Sequence, residues 1–397
     1  MNLKYLYNTI FGIIKTMDLM KKSIKIIKNL QLKNGGILAT PERGAYPYIY
    51  PRDSVIMTKA LNRVGLSKNS EKFYYFINKN ANVKNYKEIF HRYNTNGWPC
   101  VTRKDQNDNE GLVLHGIYDT YLHNKNHIFL ENMWVLVEQI VGLIKNYSKN
   151  NLVETKRSIH EFYDLEHGYD IWVNCACCRG LHDAAEIAKI MHRKKEYTTW
   201  KRMARKLEKD IKEKFFDKDL KVFSKNLRLK SVPDISQIAP FYFKIENSNE
   251  LLKQTINYLE KNLWHKQIGG FRRFRQFEIV DDWHWYSGGS GSWCVFTAFM
   301  GRFYKKIDDK KSYQKCLDWL NKTSKRTNGL LPEHVSNRVE YENWKKNEIQ
   351  FNQRTINGTK KAEKLSKSFK GKDKEKLIYW ATPLGWSHAE YILLCKN

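Results

Sequence analysis

The chain has 397 residues, of which 41% are hydrophobic, so a sizeable folded core is possible. Aromatic residues make up 14%, which argues against disorder and is compatible with a site that stacks on sugar rings or nucleic-acid bases. The net charge of +28 keeps nucleic-acid binding as an alternative, but the basic residues are spread along the chain without a zinc-finger or RNP-type pattern. We therefore expect no nucleic-acid partner.

The cysteines and the N-terminus indicate a cytoplasmic protein. The 7 cysteines include only one CxxC spacing, which does not complete a zinc site, and reduced thiols suit the cytoplasm. Their densest group, at 175–178, lies in a helical pattern and is interpreted as small buried residues. We expect no signal peptide, and no window with the roughly 20 apolar residues that a membrane span needs. The oligomeric state stays open.

Apolar residues recur at helical spacing along the whole chain. The predicted helices cover 17–31, 54–64, 69–82, 112–122, 129–147, 171–190, 195–215, 235–245, 248–262, 288–305, 309–321 and 383–395. Alternation with a period of two residues is nearly absent, so the predicted fold class is all-α. Loops without a Pro- or Ser-rich linker join the helices, which predicts one domain over 1–397, an α/α barrel with alternate loops at one end. A Lys- and Asn-rich stretch at about 337–378 is predicted to be a polar surface insertion with partial helix at 360–370.

Two loop glutamates have the chemistry needed to cleave a glycosidic bond. That reaction requires a carboxylic acid to protonate the leaving oxygen and a carboxylate on the other face of the sugar. Glu333 follows Pro332, which restricts the backbone and can point the carboxylate outward. Glu166 lies in a loop rich in Gly, His and Tyr. Taken alone, a loop glutamate is more often an ordinary surface residue.

An ordered set of motifs is more specific than either glutamate. In chain order the motifs are Tyr50-Pro51-Arg52-Asp53, Gln106-Asn107-Asp108, Asp164-Leu165-Glu166, Gly269-Gly270-Phe271-Arg272-Arg273-Phe274, Tyr286-Ser287-Gly288-Gly289, Leu331-Pro332-Glu333-His334 and the segment from Ala381 to Glu390. With these motifs the chain resembles the glucoamylase family, glycoside hydrolase family 15, from about Ser23 to Leu394.

The resemblance implies an (α/α)6 barrel and an inverting, exo-acting hydrolase that releases glucose from the non-reducing end of α-glucans. Glu166 would be the general acid and Glu333 the base that activates water, with their carboxyl groups about 6.5–9.5 Å apart. Arg52, Asp53 and Arg273 would hydrogen-bond the hydroxyls of the terminal glucose. Further candidate substrate-binding residues are Tyr50, Trp98, Asp108 and Trp386. Two carboxyl groups carry both proton transfers, so no metal or organic cofactor is expected.

The acid is the position at which the chain departs most from the family pattern. Leu165 stands where the family commonly has Trp, so Glu161 and Asp164 are alternative acids. A second register, through Tyr169-Asp170-Ile171-Trp172, would put Val173 in the place of the acid.

Other departures leave further alternatives open. His334 replaces the Gln that follows the base, and His388 is more often a satisfied core residue than a ligand. Trp283, Trp285 and Tyr286 are either a sugar-stacking platform or packing at a helix start. The alternative functions are a trehalose- or isomaltose-type α-glucosidase and a non-catalytic carbohydrate-binding or regulatory barrel.

Overall fold

The computed structural model describes residues 18–101, 104–161, 163–230, 232–275, 291–342, 360, 363–364, 366–367 and 377–396. Helices dominate this part of the chain. They are α1 (18–30), α2 (Pro51–Arg63), α3 (Ser67–Asn80), α4 (Val83–Tyr86), α5 (Asp108–Asn124), α6 (His127–Tyr147), α7 (Tyr163–Glu166), α8 (Ile171–Ile190), α9 (Lys194–Lys214), α10 (Ala239–Tyr242), α11 (Asn249–Leu263), α12 (Cys294–Lys306), α13 (Lys310–Arg326) and α14 (Gly385–Lys396). The strands β1 (Ser148–Lys149), β2 (Leu152–Val153), β3 (Phe216–Asp217), β4 (Val222–Phe223), β5 (Ser292–Trp293), β6 (His334–Ser336) and β7 (Ile378–Trp380) have only two or three residues each. The all-α prediction is confirmed.

Local chemistry moves several helix boundaries away from the predicted ones. α2 begins at Pro51 instead of residue 54, because proline fits the first helical position, and Arg52 and Asp53 therefore lie in its first turn. The predicted helix over 235–245 is a 3-10 turn, Ile235–Ile238, followed by the short helix α10. Pro240 at the start of α10 has no backbone N–H to continue the preceding turn.

The chain divides into two compact units. The terminal unit comprises Met1–Gln31, Ala39–Pro47 and Trp264–Asn397, and the central unit comprises Leu32–Leu38 and Tyr48–Leu263. In the central unit, α5 and α8 cross with their backbones in close approach: a Cβ atom on Gly111 would lie 2.3 Å from the Ala176 carbonyl oxygen. Neighbouring cysteines at 175–178 are fully buried in this packing. α2 packs against α5, so the three helices form the frame of the unit.

The terminal unit combines helices with one small sheet. α12 packs against α13 and α14, and the core around them includes Cys294, Ala298, Leu317, Leu320, Tyr391 and Leu394. The sheet is antiparallel in the order β5-β6-β7, with Trp293 opposite His334 and His334 opposite Trp380. Tyr341, from the predicted insertion, is buried beside Ile378 and Trp380, and residues 360, 363–364 and 366–367 are helical, while most of 343–376 lies outside the described residues.

One described helix differs from the expectation about membrane spans. α6 is long and apolar enough to cross a membrane by length and composition, with a mean hydropathy of 1.3 over its most apolar 18 residues. Of that window, 56% is buried inside the protein. The core helix of a protein that never meets a membrane passes the same test.

Candidate active site

Glu333 lies directly before β6, in the terminal unit, on a turn whose backbone is held on both sides. Its N–H donates to the Trp380 carbonyl at 2.9 Å, and its carbonyl accepts from the Cys294 N–H at 3.0 Å. These two bonds fix the direction in which the side chain leaves the backbone. With 14% of its side chain exposed, Glu333 can meet a water molecule while its turn stays rigid.

Two side chains at the start of α14 brace the same turn. The Ser387 hydroxyl donates to the Pro332 carbonyl at 2.7 Å, and Nε2 of His388 accepts from the Leu331 N–H at 3.0 Å. Nδ1 of His388 lies 2.8 Å from the Ser23 hydroxyl. Burial lowers the pKa of His388 to about 3, so its ring is neutral. His388 thus has the contacts of a satisfied core residue, the more common of the two interpretations considered from the sequence.

Within the described part of the chain, both polar contacts of the Glu333 carboxyl group go to one oxygen. The Tyr46 hydroxyl lies 3.4 Å from Oε2, and Nδ1 of His334 lies 3.2 Å from the same atom. Tyr46 in turn accepts from Nε1 of Trp380 at 2.5 Å. Tyr46 is not among the residues predicted from the sequence; the signal that could have found it is the run of tyrosines before Arg52.

Arg273 belongs to the same unit and lies at one end of a row of stacked rings. Its guanidinium carbon is 4.7 Å from the centre of the Trp293 ring. Trp293 stacks on His334, with ring centroids 5.0 Å apart and planes at 21°, and His334 stacks on Trp380 at 6.1 Å and 27°. The row connects the predicted Arg273 to the residues around Glu333.

The structure places Trp386 in the packing of the terminal unit. It meets Phe296 and Phe299 edge to face, with 6.4 Å between ring centroids in each case, and is 7% exposed. Its indole N–H makes no hydrogen bond among the described residues. A substrate contact by Trp386 stays a prediction. The predicted aromatic residues Trp283, Trp285 and Tyr286 and the motif Tyr286-Ser287-Gly288-Gly289 lie outside the described residues.

In the central unit, the first turns of α2 and α5 bring together two predicted substrate-binding residues, Arg52 and Asp108. Arg52 forms a two-point ion pair with Asp108, at 2.6 Å from Nε and 3.0 Å from Nη2. Nη2 also donates to the Gln106 side chain and to the Ser158 carbonyl, each at 2.9 Å. Trp172 donates from its indole nitrogen to Asp108 at 3.0 Å. Because these bonds use most of the guanidinium donors, protein contacts fix the position of Arg52 before any ligand arrives.

The other predicted substrate-binding residues of this unit differ in exposure. Asp53 is buried beside Arg52, and Tyr50 accepts from Arg92 at 3.2 Å. Trp98 is 67% exposed, on a turn that its backbone N–H and carbonyl close through bonds of 3.0 and 2.9 Å to Asn94. Trp98 therefore offers an open aromatic face on a rigid support.

Glu166, the predicted acid, ends the short helix α7 and is fully buried in the central unit. Its Oε2 accepts from the Ser158 N–H at 2.8 Å and its Oε1 from the His160 N–H at 2.7 Å. Burial raises the pKa of Glu166 to about 7, against the opposing effect of Lys225. The carboxyl group thus braces segment 158–160 and holds a proton more readily than an exposed glutamate.

A buried charged cluster lies beside Glu166. Nζ of Lys225 is 3.2 Å from Asp170 and 3.6 Å from Asp234, and Nε2 of His160 is 2.9 Å from Asp234. Burial alone would raise the pKa of Asp234, but His160 and Lys225 hold it well below its usual range. The cluster therefore contains a buried ionised pair, and breaking such a pair is costly. Sequence reasoning missed it because its members are far apart along the chain.

The start of α8 follows the second register considered from the sequence. Asp170 caps the helix by accepting from the N–H groups of Trp172 and Val173, at 3.0 and 3.3 Å. Val173 is fully buried in the first turn, and neither it nor Ile171 or Trp172 carries a carboxyl group. If the general acid of the family aligns with Val173, the proton donor of this chain must come from another position.

Glu161 is the alternative acid that reaches Arg52. Its carboxyl oxygen lies 3.6 Å from Nη1 of Arg52, and 19% of its side chain is exposed. Its N–H closes a tight turn with the Ser158 carbonyl at 3.1 Å, and its φ of 65° is a left-handed conformation that costs energy for a residue with a side chain. The turn thus holds a carboxylate beside the predicted sugar-binding arginine. The side chain of Asp164 lies outside the described part of the chain.

Comparison with known proteins identifies relatives at the level of the fold. No protein-family model matches the chain. An uncharacterized glycosyl hydrolase of Methanocaldococcus jannaschii is 23% identical over 339 residues, which cover 81% of this chain and 52% of the relative. The chain therefore spans about half the length of the curated relative it matches.

Among solved structures, a wild-type glycosidase has a TM-score of 0.74 at 16% identity, with 96% of each chain covered, and a variant of this glycosidase is in complex with glucose. A bacterial glucoamylase complexed with acarbose has a TM-score of 0.69 at 15% identity and covers 95% of this chain and 55% of its own. These likenesses confirm the predicted fold class, an all-α (α/α)6 barrel of the kind found in glucoamylase-like glycosidases. Membership of glycoside hydrolase family 15 stays a prediction.

Proposed function

We propose that this chain is a glycoside hydrolase that releases glucose from the non-reducing end of α-glucans with inversion at the anomeric carbon. The observation that carries the proposal is the setting of Glu333, a partly exposed carboxylate on a braced turn with two polar groups at one of its oxygens. A general base must be aimed at its water molecule and accessible to it, and this setting meets both requirements. The sugar ligands of the similar glycosidase and glucoamylase support a glucoside substrate.

In the proposed reaction, a water molecule adds to the anomeric carbon while one of its protons passes to Glu333. The bond from that carbon to the leaving sugar breaks, and its electron pair stays on the glycosidic oxygen, which takes a proton from a carboxylic acid. The two carboxyl groups carry both proton transfers, so the proposal requires neither a metal ion nor an organic cofactor.

We propose that the acid comes from segment 158–166. Glu166 has the raised pKa that suits a proton donor, but its oxygens face the backbone of Ser158 and His160. Glu161 has exposed surface beside Arg52, whose charge Asp108 already balances. The geometry therefore favours Glu161 as the donor and Glu166 as the brace, with Glu166 as the sequence-based alternative.

Arg52 and Trp98 provide the proposed sugar contacts of the central unit. The fixed guanidinium group of Arg52 suits a hydroxyl pair, and a sugar without that hydroxyl would leave buried polar groups unpaired. The exposed ring of Trp98 suits stacking on the flat face of a sugar.

The test is to add maltose, maltoheptaose, isomaltose or trehalose and to follow the first released glucose by proton NMR. We expect β-glucose first. Glu333→Gln should lower kcat about a hundredfold or more, the usual effect of removing a general base. Glu342→Gln is the control, because Glu342 lies in the same unit and its carboxylate pairs with Arg338 one helical turn away, at 2.7 Å. α-Glucose appearing first, or equal rates for Glu333→Gln and wild type, would contradict the proposal.

A non-catalytic sugar-binding barrel is the second candidate function. Val173 in the first turn of α8 and the complete burial of Glu166 favour it, because neither provides an accessible acid there. Such a protein would bind maltoheptaose in calorimetry and release no glucose over hours, and Arg52→Ala would abolish the binding.

A further inference from the structure

The residue after Glu333 is a histidine, where the family that the chain resembles has glutamine, and its ring is held on both faces. Trp293 and Trp380 are its direct partners on the two neighbouring strands, so the sheet register itself places one indole on each side. Ring planes at 21° and 27° show that both contacts are stacked. Flat contacts on both faces resist rotation of the imidazole about its Cβ–Cγ bond.

The fixed ring directs Nδ1 towards Oε2 of Glu333, at 3.2 Å. An ionised carboxylate only accepts hydrogen bonds, so this contact requires the imidazole to carry a proton on Nδ1. The Tyr46 hydroxyl lies 3.4 Å from the same oxygen. Nε1 of Trp380 donates to the Tyr46 oxygen, and the Tyr46 hydroxyl donates to Oε2 of Glu333.

Burial favours the neutral form of the His334 imidazole. His334 is 3% exposed, and burial lowers its pKa below the ordinary value, although the nearby carboxylate of Glu333 acts in the opposite direction. Among the described residues, the charged groups that act on the pKa of the ring are Glu333, Arg273 and Glu340. One positive and two negative neighbours do not outweigh the burial, so the ring donates from Nδ1 as a neutral group.

We propose that His334 is a positioning residue for the base: its neutral Nδ1–H tautomer, together with Tyr46, holds Oε2 of Glu333, so that Oε1 is the oxygen that takes the proton from water. The inference rests on the proposed role of Glu333. A glutamine at this position could donate a hydrogen bond, but its flexible side chain would not stack between two indoles. The stacked ring and the hydrogen-bond donor of His334 can therefore be removed one at a time by substitution.

The test compares His334→Phe with His334→Asn. Phenylalanine keeps a stacked ring and loses the donor, whereas the amide nitrogen of asparagine stands as many bonds from Cα as Nδ1 and loses the ring. If His334 positions the base, His334→Phe should lower kcat at least about tenfold with little change in KM, and His334→Asn should recover most of that loss although its melting temperature is lower. The inference would be overturned if kcat fell in proportion to the melting temperature, so that His334→Asn lost more activity than His334→Phe.

Nitrogen-15 NMR of the imidazole provides a readout that does not depend on turnover. The expected spectrum at pH 7 to pH 8, above the ordinary pKa of histidine, is that of a neutral ring with its proton on Nδ1. A proton on Nε2 would overturn the inference even in an active enzyme. A wild-type protein that shows the expected spectrum but hydrolyses no glycoside would instead refute the proposed function, and with it any role of His334 in catalysis.

Discussion

Replacing Glu166 by glutamine separates bracing from proton donation, because the two roles predict different defects. In the folded protein each carboxyl oxygen accepts one backbone N–H, from Ser158 or from His160. A carboxamide has one acceptor oxygen, so its NH2 group must face one of these two donors. A buried N–H without a partner costs about 1–3 kcal/mol, and Glu166→Gln should lower the free energy of unfolding by that amount.

The size of this effect should depend on pH. Burial raises the pKa of Glu166 from 4.5 to about 7, so the folded protein binds this proton more tightly than the unfolded chain. The resulting stabilisation is complete below pH 4.5 and is lost as the pH rises through 7, and the gap between the two pKa values corresponds to roughly 3 kcal/mol. Glutamine does not titrate. The wild-type advantage over Glu166→Gln should therefore be larger at pH 5 than at pH 8, by up to that amount.

The assay combines urea unfolding at pH 5 and pH 8 with turnover of maltose and α-glucosyl fluoride. Fluoride leaves without needing a proton. Loss of the acid should therefore lower the rate of maltose hydrolysis by about a hundredfold or more and leave the rate of α-glucosyl fluoride hydrolysis nearly unchanged. We expect that pattern for Glu161→Gln, which removes the proposed acid from the same segment, and a stability defect for Glu166→Gln. Equal stability of wild type and Glu166→Gln at both pH values would refute the bracing role, and a leaving-group pattern at Glu166 alone would identify it as the acid.

Three further substitutions test the central unit. Arg52→Lys should lower the free energy of unfolding by about 3 kcal/mol in urea titrations, because lysine cannot form the two-point pair with buried Asp108. Lys225→Met should cost about 3–5 kcal/mol, since it leaves Asp170 buried without its cation, and circular dichroism on heating would show it. Trp98→Ala should leave the melting temperature within about 1 °C of wild type but raise KM for maltoheptaose several-fold, because the ring is exposed and unconstrained by packing.

The fold class could be predicted from the sequence because helices leave a periodic signal. The spacing of apolar residues predicted most of the helices, and the order of the motifs predicted the barrel. Periodicity did not show where short elements begin: β5 and β6 have two and three residues, too few for an alternating pattern. The predicted helix over 288–305 therefore begins only at Cys294 in the described structure, after Trp293 has paired with His334.

The parts of the candidate site that form one contiguous motif could be predicted from the sequence. The parts that depend on contacts between residues far apart in the chain could not. Leu331-Pro332-Glu333 marked the turn, but its brace from His388 joins residues 57 positions apart. The stacking of His334 follows from strand register, which no local pattern in this chain encodes. Glutamates are rarely buried, so sequence alone gave no reason to expect Glu166 with zero exposure.

The buried cluster beside Glu166 has a rationale if its purpose is to fix segment 158–161. A buried ion pair is seldom the most stable solution, since its desolvation costs as much as its attraction returns. Here the cluster holds His160 from one side and Glu166 holds the same segment by its backbone, so Ser158 meets Arg52 in one geometry and Glu161 keeps its left-handed turn. The buried cluster at Lys225 and Asp234 thus helps to orient Glu161, whose carboxylate lies 3.6 Å from Arg52 and is 19% exposed. If that orientation serves proton donation, Lys225→Met should lower kcat for maltose more than for α-glucosyl fluoride in the fraction that remains folded. An equal decrease in kcat for the two substrates would show that the cluster contributes to stability and not to proton donation.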